Sequence, residues 1–264
     1  MRREVTKPNP IVNEIISISP YSEKTTRIRV YAPDVADKCL PGQFVIVKFD
    51  VDGQRIPFSI IDYDRETGSI DFIIHRADGL DEILKKIKSG ESLPDLLGPL
   101  GKPANIEEGK SILFFGDGSG VVPLLPLIQL AKKRDCHVKA VLSEHSSRVQ
   151  CLLKEIEHDA ETVVTVSDDD LLANAIKILS EGNIDMVMMS GPSLMMKRLA
   201  KETKERGVAA ECILNMLMID GIGLCGICRV IVGGERKQTC IDGPIFNAHL
   251  VDFDQLFNRQ RLFV

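Results

Sequence analysis

Apolar positions along the chain follow three rhythms in turn. From residue 1 to about 103, short runs rich in Val, Ile, Thr and Phe partly alternate with polar residues: IVNEIISIS, TTRIRVYA, GQFVIVKF, IPFSIIDY and SIDFIIHR. Turn-forming clusters separate them (SPYSE, APDVADK, DVDG, DRETG). Short strands at this spacing predict a small antiparallel β-barrel. One helix interrupts at LDEILKKIKSGE, where Leu80, Ile83, Leu84 and Ile87 share a face. From Lys110 to about Gly207 the pattern turns to β–α. SILFF, VKAVLS, TVVTVS and IDMVMMS have strand length, and VVPLLPLIQLAKKR and LMMKRLAKETKERG have helical character. This alternation predicts a parallel sheet with helices on its faces. The last segment carries three clustered cysteines and the tail HLVDFDQLFNRQRLFV. The expected organisation is a barrel over 1–103, an α/β parallel-sheet domain over 108–210, a small cysteine-bearing domain over 211–250 and a tail over 251–264. There is no internal repeat.

Composition narrows the function classes. The 264 residues are 44% apolar and 27% charged, as in ordinary globular proteins. A net charge of −5 argues against a nucleic-acid or anionic-membrane surface. With no Trp and few aromatics, there is little on which single-stranded bases could stack. No apolar stretch reaches the ~18 residues of a membrane span. MRREVTKPNP lacks the apolar core of a signal peptide, so the cytoplasm is expected. Of the seven cysteines, Cys39, Cys136, Cys151 and Cys212 are scattered and read as small buried hydrophobes. Cys225, Cys228 and Cys240 are clustered, which favours metal binding over disulfides.

Four stretches carry candidate chemistry. In Arg55-Ile56-Pro57-Phe58-Ser59-Ile60, a planar ligand can lie along the strand. Arg55 would pair a phosphate, Ser59 or a neighbouring amide would bond the ring edge, and Pro57 would fix chain direction. The bland alternative is an exposed barrel strand. GDGSG places Gly116, Gly118 and Gly120 between a strand and a helix, where glycine lets a phosphate approach the backbone and the helix N-terminus. The spacing is G-x-G-x-G, not G-x-G-x-x-G, and a plain tight turn also favours glycine. Asp117 sits awkwardly beside a phosphate and would bind a ribose hydroxyl or point away. Ser190-Gly191-Pro192 marks a second strand-to-helix junction of the kind that borders a nucleotide crevice. His75 and Arg76, ahead of the turn bearing Gly79 and Leu80, face either a pyrophosphate or solvent.

The cysteine loop is the sharpest signal. Cys225-x-x-Cys228 puts two thiolates on one turn, and VIVGGERKQT reads as a hairpin returning to Cys240. Plant-type [2Fe–2S] loops run C-x4-C-x2-C…C, and here the first position is Asp220. Three other possibilities stand beside an Asp220-ligated cluster. Cys212 could be the fourth ligand, zinc could bind three cysteines and the carboxylate, or the cysteines could be buried without metal.

The order of these motifs resembles the ferredoxin-reductase-like electron-transfer subunits that carry FAD and a [2Fe–2S] cluster, over nearly the whole chain. R-x-P-F-S-I looks like that family's flavin strand, GPLG (Gly98–Gly101) like the close of its barrel, and GDGSGVVPLLPL and SGPSLMMK like its nucleotide turns. Two branches are close: subunits of NADH-dependent reduced ferredoxin:NADP oxidoreductase and of NAD-dependent dihydroorotate dehydrogenase. MIDGIGLCGICRVIVGGERKQTC resembles the first, with Asp220 where the second has Cys. The resemblance implies Asp220, Cys225, Cys228 and Cys240 as cluster ligands. It places flavin along Arg55, Pro57, Phe58, Ser59, Ile60, His75, Gly79 and Leu80, and NAD(H), with NADP(H) open, near Gly116, Gly118, Gly120, Gly191 and Pro192. It also implies an oxidoreductase with no catalytic side chain of its own, a larger flavin and iron–sulfur partner subunit, and ferredoxin reached through that partner. The chain departs from the pattern at VSDDDLLANAIKILSEG, which lacks the family's glycine-rich stretch, and at ADGL, which replaces a Gly-Thr turn. Those departures motivate a competing class, a redox or nucleotide sensor without turnover.

Overall fold

A computed structural model describes residues 10–22, 25–75, 80–143 and 147–261. The first half forms two antiparallel sheets. One has the order β1 (Ile15–Pro20), β2 (Thr25–Tyr31), β6 (Ser69–His75), β5 (Asp62–Asp64); the other runs β4 (Ile56–Ser59), β3 (Phe44–Lys48), β7 (Asp95–Leu100). Alternation turns Ile28, Val30, Val45, Val47, Phe58, Ile70 and Phe72 inward to one core, which closes the sheets into the expected small barrel. The Phe58 and Phe72 rings stack with centroids 4.8 Å apart. Two helices sit on the barrel. APDVADK is not a plain turn: Pro33–Lys38 forms α1, with proline in its first turn and Ala36 buried. The stretch read as a helix over 80–91 yields only α2 (Asp81–Lys86). Leu80, Leu84 and Ile87 still pack against the barrel core.

The second half is a six-stranded sheet of order β10 (Thr162–Val166), β9 (His137–Ser143), β8 (Ser111–Gly116), β11 (Met186–Ser190), β12 (Ala209–Ile213), β15 (Ile245–Asn247). The first five strands are parallel, and β15 is antiparallel to β12. The helices are α3 (Leu125–Lys133), α4 (Ser147–Asp159), α5 (Asp168–Ser180) and α6 (Ser193–Glu205). Both faces are buried, one under α3 and α4, the other under α5 and α6. This is the layering that the β–α rhythm predicts. Strand order reverses between β8 and β11, so the crevice above their C-terminal ends is the topological switch point where open α/β sheets take ligands.

The last segment is tied to both halves. The hairpin β13 (Arg229–Val232) and β14 (Glu235–Gln238) forms as VIV-GG-ERKQ suggests. A short helix, α7 (Thr239–Asp242), leads to β15. The tail forms α8 (Phe253–Gln260), whose Phe253 and Leu256 are buried in the core shared with α6 and the hairpin. A polar strut crosses from barrel to sheet: Tyr21 donates to Glu155 of α4 at 2.7 Å, and Arg27 bonds both Tyr21 and the buried Asp71. Arg29 grips the same Asp71 through two bonds of 2.7 and 2.8 Å.

After β12 the chain runs back to the barrel. At Gly221 (φ +71°) a Cβ would stand 2.6 Å from Ile46 Cδ1 and 2.8 Å from Leu100 Cδ1. The backbone there lies directly on β3 and β7, a contact open only to glycine. Gly221→Ala is expected to cost about 1–3 kcal/mol through overpacking at a positive φ, read as a lower denaturation midpoint. An unchanged midpoint would mean that this seam carries no packing constraint.

Candidate functional site

A cleft of about 490 Å³ opens between the barrel, the parallel sheet and the returning chain. The barrel wall is β4 with its flanks, Gln54 to Ile60, together with Gly42, Gln43, Phe44, Ile73, His75 and Leu80. The sheet wall is Ser119, Gly120, Val122, Pro123, Pro126 and Ser190, and the third is the run Ile213–Met218 with Pro244. Arg55, Pro57, Phe58, Ser59, Ile60, His75 and Leu80 therefore meet in one place, as expected of a strand along which a planar ligand lies. Gly79 and Arg76 fall outside the described residues.

Local chemistry explains the barrel wall. Ser59 pairs with Phe44 across the β3–β4 ladder, and Pro57 takes a place opposite Ile46. Phe58 is held inward by its stack on Phe72, which fixes the strand's facing. Arg55 is not free: its Nη2 bonds Asp95 of β7 at 2.6 Å, with both side chains partly exposed. Such a surface pair is worth little and gives way readily to a phosphate. Ser190 is buried, and its Oγ has no hydrogen-bond partner. A buried hydroxyl without a partner on a cleft wall is the kind of atom a polar ligand satisfies. A mostly apolar cleft of this size with few polar groups suits a flavin.

The two glycine junctions of the sheet touch each other. Ser190 pairs with Gly116 in register. Asp117 N–H donates to the Ser190 carbonyl at 3.0 Å, and Gly120 N–H donates to the Asp117 carbonyl at 2.9 Å. A Cβ on Gly120 would be 2.2 Å from the Ser190 oxygen, and one on Gly191 would be 2.9 Å from Asp117 Cβ. Gly120 is thus required for packing as well as approach. Gly118 (φ +56°) faces open space. Gly116, Gly118, Gly191 and Pro192 border the cleft's sheet wall without lining it. Asp117 is buried and its carboxyl is pushed up, mainly by desolvation and further by Asp168, against the Ser143 hydroxyl and the Gly118 amide. VSDDDLLANAIKILSEG begins α5 at once, with Asp168, Asp169 and Asp170 in the first turn.

Two residues beyond Met218 the cysteine loop begins. Gly221, Gly223 and Gly226 all have positive φ (71°, 82°, 66°), which lets the chain fold tightly on itself. Asp220 accepts amide bonds from Ile222 at 3.1 Å and Cys225 at 2.5 Å. Slight desolvation pushes its carboxyl up, but those amides outweigh it and hold the group below its ordinary range. Cys240 N–H donates to Cys228 Sγ at 3.4 Å. Burial and the adjacent Cys228 push the Cys240 thiol up to about 12. Cys225 is exposed. Among the described residues no three His, Cys, Asp or Glu side chains converge as a metal ion needs. Cys228 and Cys240 lie together, and the Asp220 carboxylate, bonded by the Cys225 amide, lies within electrostatic reach of Cys240. The donor set, three thiols and a carboxylate on a glycine-lined loop, suits iron. Cys212, weighed above as a fourth ligand, sits apart from the loop, fully buried on β12 and paired in register with Phe246 of β15.

Sequence reasoning missed the third wall, Ile213–Met218, which has no motif signal, and Gln43. Gln43 lines the cleft while its side chain bonds the Gly101 carbonyl at 2.7 Å and the Leu40 amide at 3.0 Å.

Residues 215–252 match the iron–sulfur cluster binding domain of dihydroorotate dehydrogenase B, a span holding Asp220 and all three clustered cysteines. The chain is 30% identical to the dihydroorotate dehydrogenase B (NAD(+)) electron transfer subunit homolog of Thermotoga maritima, over 94% of this chain and 90% of that one. It is 32% identical to an uncharacterized protein from the adh 3' region of Clostridium beijerinckii, over 95% and 90%. A solved structure of NADH-dependent reduced ferredoxin-NADP oxidoreductase superposes with a TM-score of 0.85 at 29% identity, over 96% of this chain and 94% of that one. The chain belongs to the ferredoxin-reductase-like family of flavin and iron–sulfur electron-transfer subunits to which the dihydroorotate dehydrogenase B subunit also belongs.

Proposed function

We propose that this chain passes electrons between NAD(H), FAD and a [2Fe–2S] cluster, as a subunit of a larger oxidoreductase of the NADH-dependent ferredoxin:NADP type working in the cytoplasm. The observation that carries it is the three-walled cleft, whose third wall continues within two residues into the cysteine loop. When bound, a flavin there exchanges two electrons with a nicotinamide and single electrons with a cluster, so that the cofactors carry the chemistry and the protein sets distance and potential. Arg55 would leave Asp95 for a flavin phosphate. Ser59 and the β4 backbone would meet the ring edge, and the apolar run Ile213–Met218 would exclude water. Ser119 and Gly120 offer backbone at the switch point to the nucleotide. Asp220, Cys225, Cys228 and Cys240 would hold the cluster.

An apolar rim supports a partner subunit. Leu224 is 83% exposed next to Cys225, and Ile219 and Ile222 are half exposed on the same loop. A patch of this kind on a soluble protein marks an interface. The partner would be a larger flavin and iron–sulfur subunit that reaches ferredoxin. The carboxylate at position 220 and the TM-score of 0.85 favour the ferredoxin:NADP branch. The dihydroorotate dehydrogenase branch is the second reading, favoured by the domain match over 215–252.

Protein purified without oxygen is expected to be yellow-brown, with about two irons and one FAD per chain. Asp220→Cys should keep the iron and change the reduced cluster's magnetic spectrum, while Asp220→Ala should lose most of it. Full iron in Asp220→Ala would move the fourth ligand elsewhere, and zinc in place of iron would sink the redox role. Adding NADH should bleach the flavin's visible absorption. No bleaching by NADH or NADPH would turn the reading toward a sensor with a lapsed nucleotide site. The branches separate on the native complex: NADH- and ferredoxin-dependent NADP reduction marks the first, NAD-dependent dihydroorotate oxidation the second.

A further inference from the structure

Arg259, near the end of α8, stands apart from the groups used so far. It is only 9% exposed. Its Nη2 donates at 2.9 Å to the carbonyl of Ile227, inside the Cys225–Cys228 turn, and its Nε is buried with no acceptor. Gln255, one helical turn earlier, does not complete it, since the Gln255 Oε1 is itself buried without a partner. Cys228 lies within electrostatic reach of the guanidinium, and Arg229 and Arg236 of the hairpin press on it with like charge. The Arg236 Nη2 would be 2.9 Å from a Cβ on Gly226. Among the described residues none of the three arginines has an ion-pair partner. Three cations around one turn, one of them desolvated with a spare N–H, lack the anion that would balance them. A cluster held by three thiolates and a carboxylate is such an anion.

We propose that Arg259 is a positioning residue for the iron–sulfur group, its free Nε–H kept for a sulfur of the cluster or of Cys228, and that it raises the cluster's potential. The inference rests on the cluster assignment above. One-electron reduction, by the flavin, adds one negative charge at the cluster with no bond made or broken. A donor and a buried positive charge stabilise that added charge, and hydrogen bonds to sulfur are among the levers that set such potentials. The Nη2 bond to Ile227 would hold the Cys225–Cys228 turn in place beneath it.

The test is a mediated, oxygen-free redox titration of the full chain as wild type, R259M and R259K, with iron and sulfide content, magnetic spectra and thermal melting measured on each. R259M should keep its iron while its reduced-to-oxidised ratio at the wild-type midpoint falls about tenfold, which is 59 mV for one electron. R259K should recover part of that ratio, since it keeps the charge but loses the fixed fork of donors. If R259M does not fold, a fall of at least threefold in R259K supports the inference. Variants that titrate within twofold of wild type but melt earlier would overturn it, leaving Arg259 as a pin for α8. Wild-type chain without iron would overturn the cluster assignment and this inference together, a result distinct from an unmoved potential.

Discussion

The whole arrangement depends on one close approach, where the missing Cβ of Gly221 lets the chain rest on Ile46 and Leu100. Dispersion and burial fall away within a fraction of an ångström, so a contact of this kind either forms fully or leaves a gap. Because it forms, Ile213–Met218 becomes a wall of the cleft, and the cysteine loop lies over the barrel that carries β4. The strand β4 and the cysteine loop are thereby held to the same side of the barrel. The antiparallel strand β15 reinforces the seam from the other side. It returns the chain from the loop to the edge of the parallel sheet, pairing Phe246 with Cys212. The loop is therefore anchored at its start on the barrel and at its end on the sheet.

A second close approach sets the nucleotide side. Gly120 lies against the Ser190 carbonyl so tightly that the turns after β8 and β11 form one surface. Backbone amides alone would make that surface favourable to anions. Asp117 and Asp168 counter this, and Asp117 is itself costly, being buried beside another carboxylate. The compensation is local: the Ser143 hydroxyl and the Gly118 amide answer the Asp117 charge. The two turns thus form one surface that combines exposed backbone with a buried carboxylate.

Much of this was legible in the sequence because period and turn chemistry are local. The barrel strands, the β–α layer and the GG hairpin follow from alternation and from glycine pairs. R-I-P-F-S-I lines the cleft, and D-G-I-G-L-C-G-I-C lies within the matched iron–sulfur domain, both stretches marked in the sequence by residue type. What was not legible depends on tertiary contact. Pro33–Lys38 is too short to show a helical period, and α5 was obscured by an acidic start whose Asp168, Asp169 and Asp170 favour a helix N-terminus. Ile213–Met218 is a plain apolar run, and only the fold makes it a wall. Arg55 lines the cleft on β4, but its ion pair with Asp95 joins β7, forty residues away in sequence, and no local pattern shows it. Arg259, in the tail HLVDFDQLFNRQRLFV, gave no signal of its position beside the Cys225–Cys228 turn.

Charge is placed oppositely in the two regions beside the cleft. Carboxylates stand at the nucleotide end, Asp117 and Asp168, and guanidiniums at the loop end, Arg229, Arg236 and Arg259. Exposed charges are screened by salt within about 10 Å, so the outer members of each group matter little at a distance. Asp117 and Arg259 are buried, where screening is weak, and each acts mainly on its own site. Each buried charge is answered locally, Asp117 by the Ser143 hydroxyl and the Gly118 amide and Arg259 by the Ile227 carbonyl, so the two regions can be tuned independently by residues that line neither the β4 strand nor the cleft.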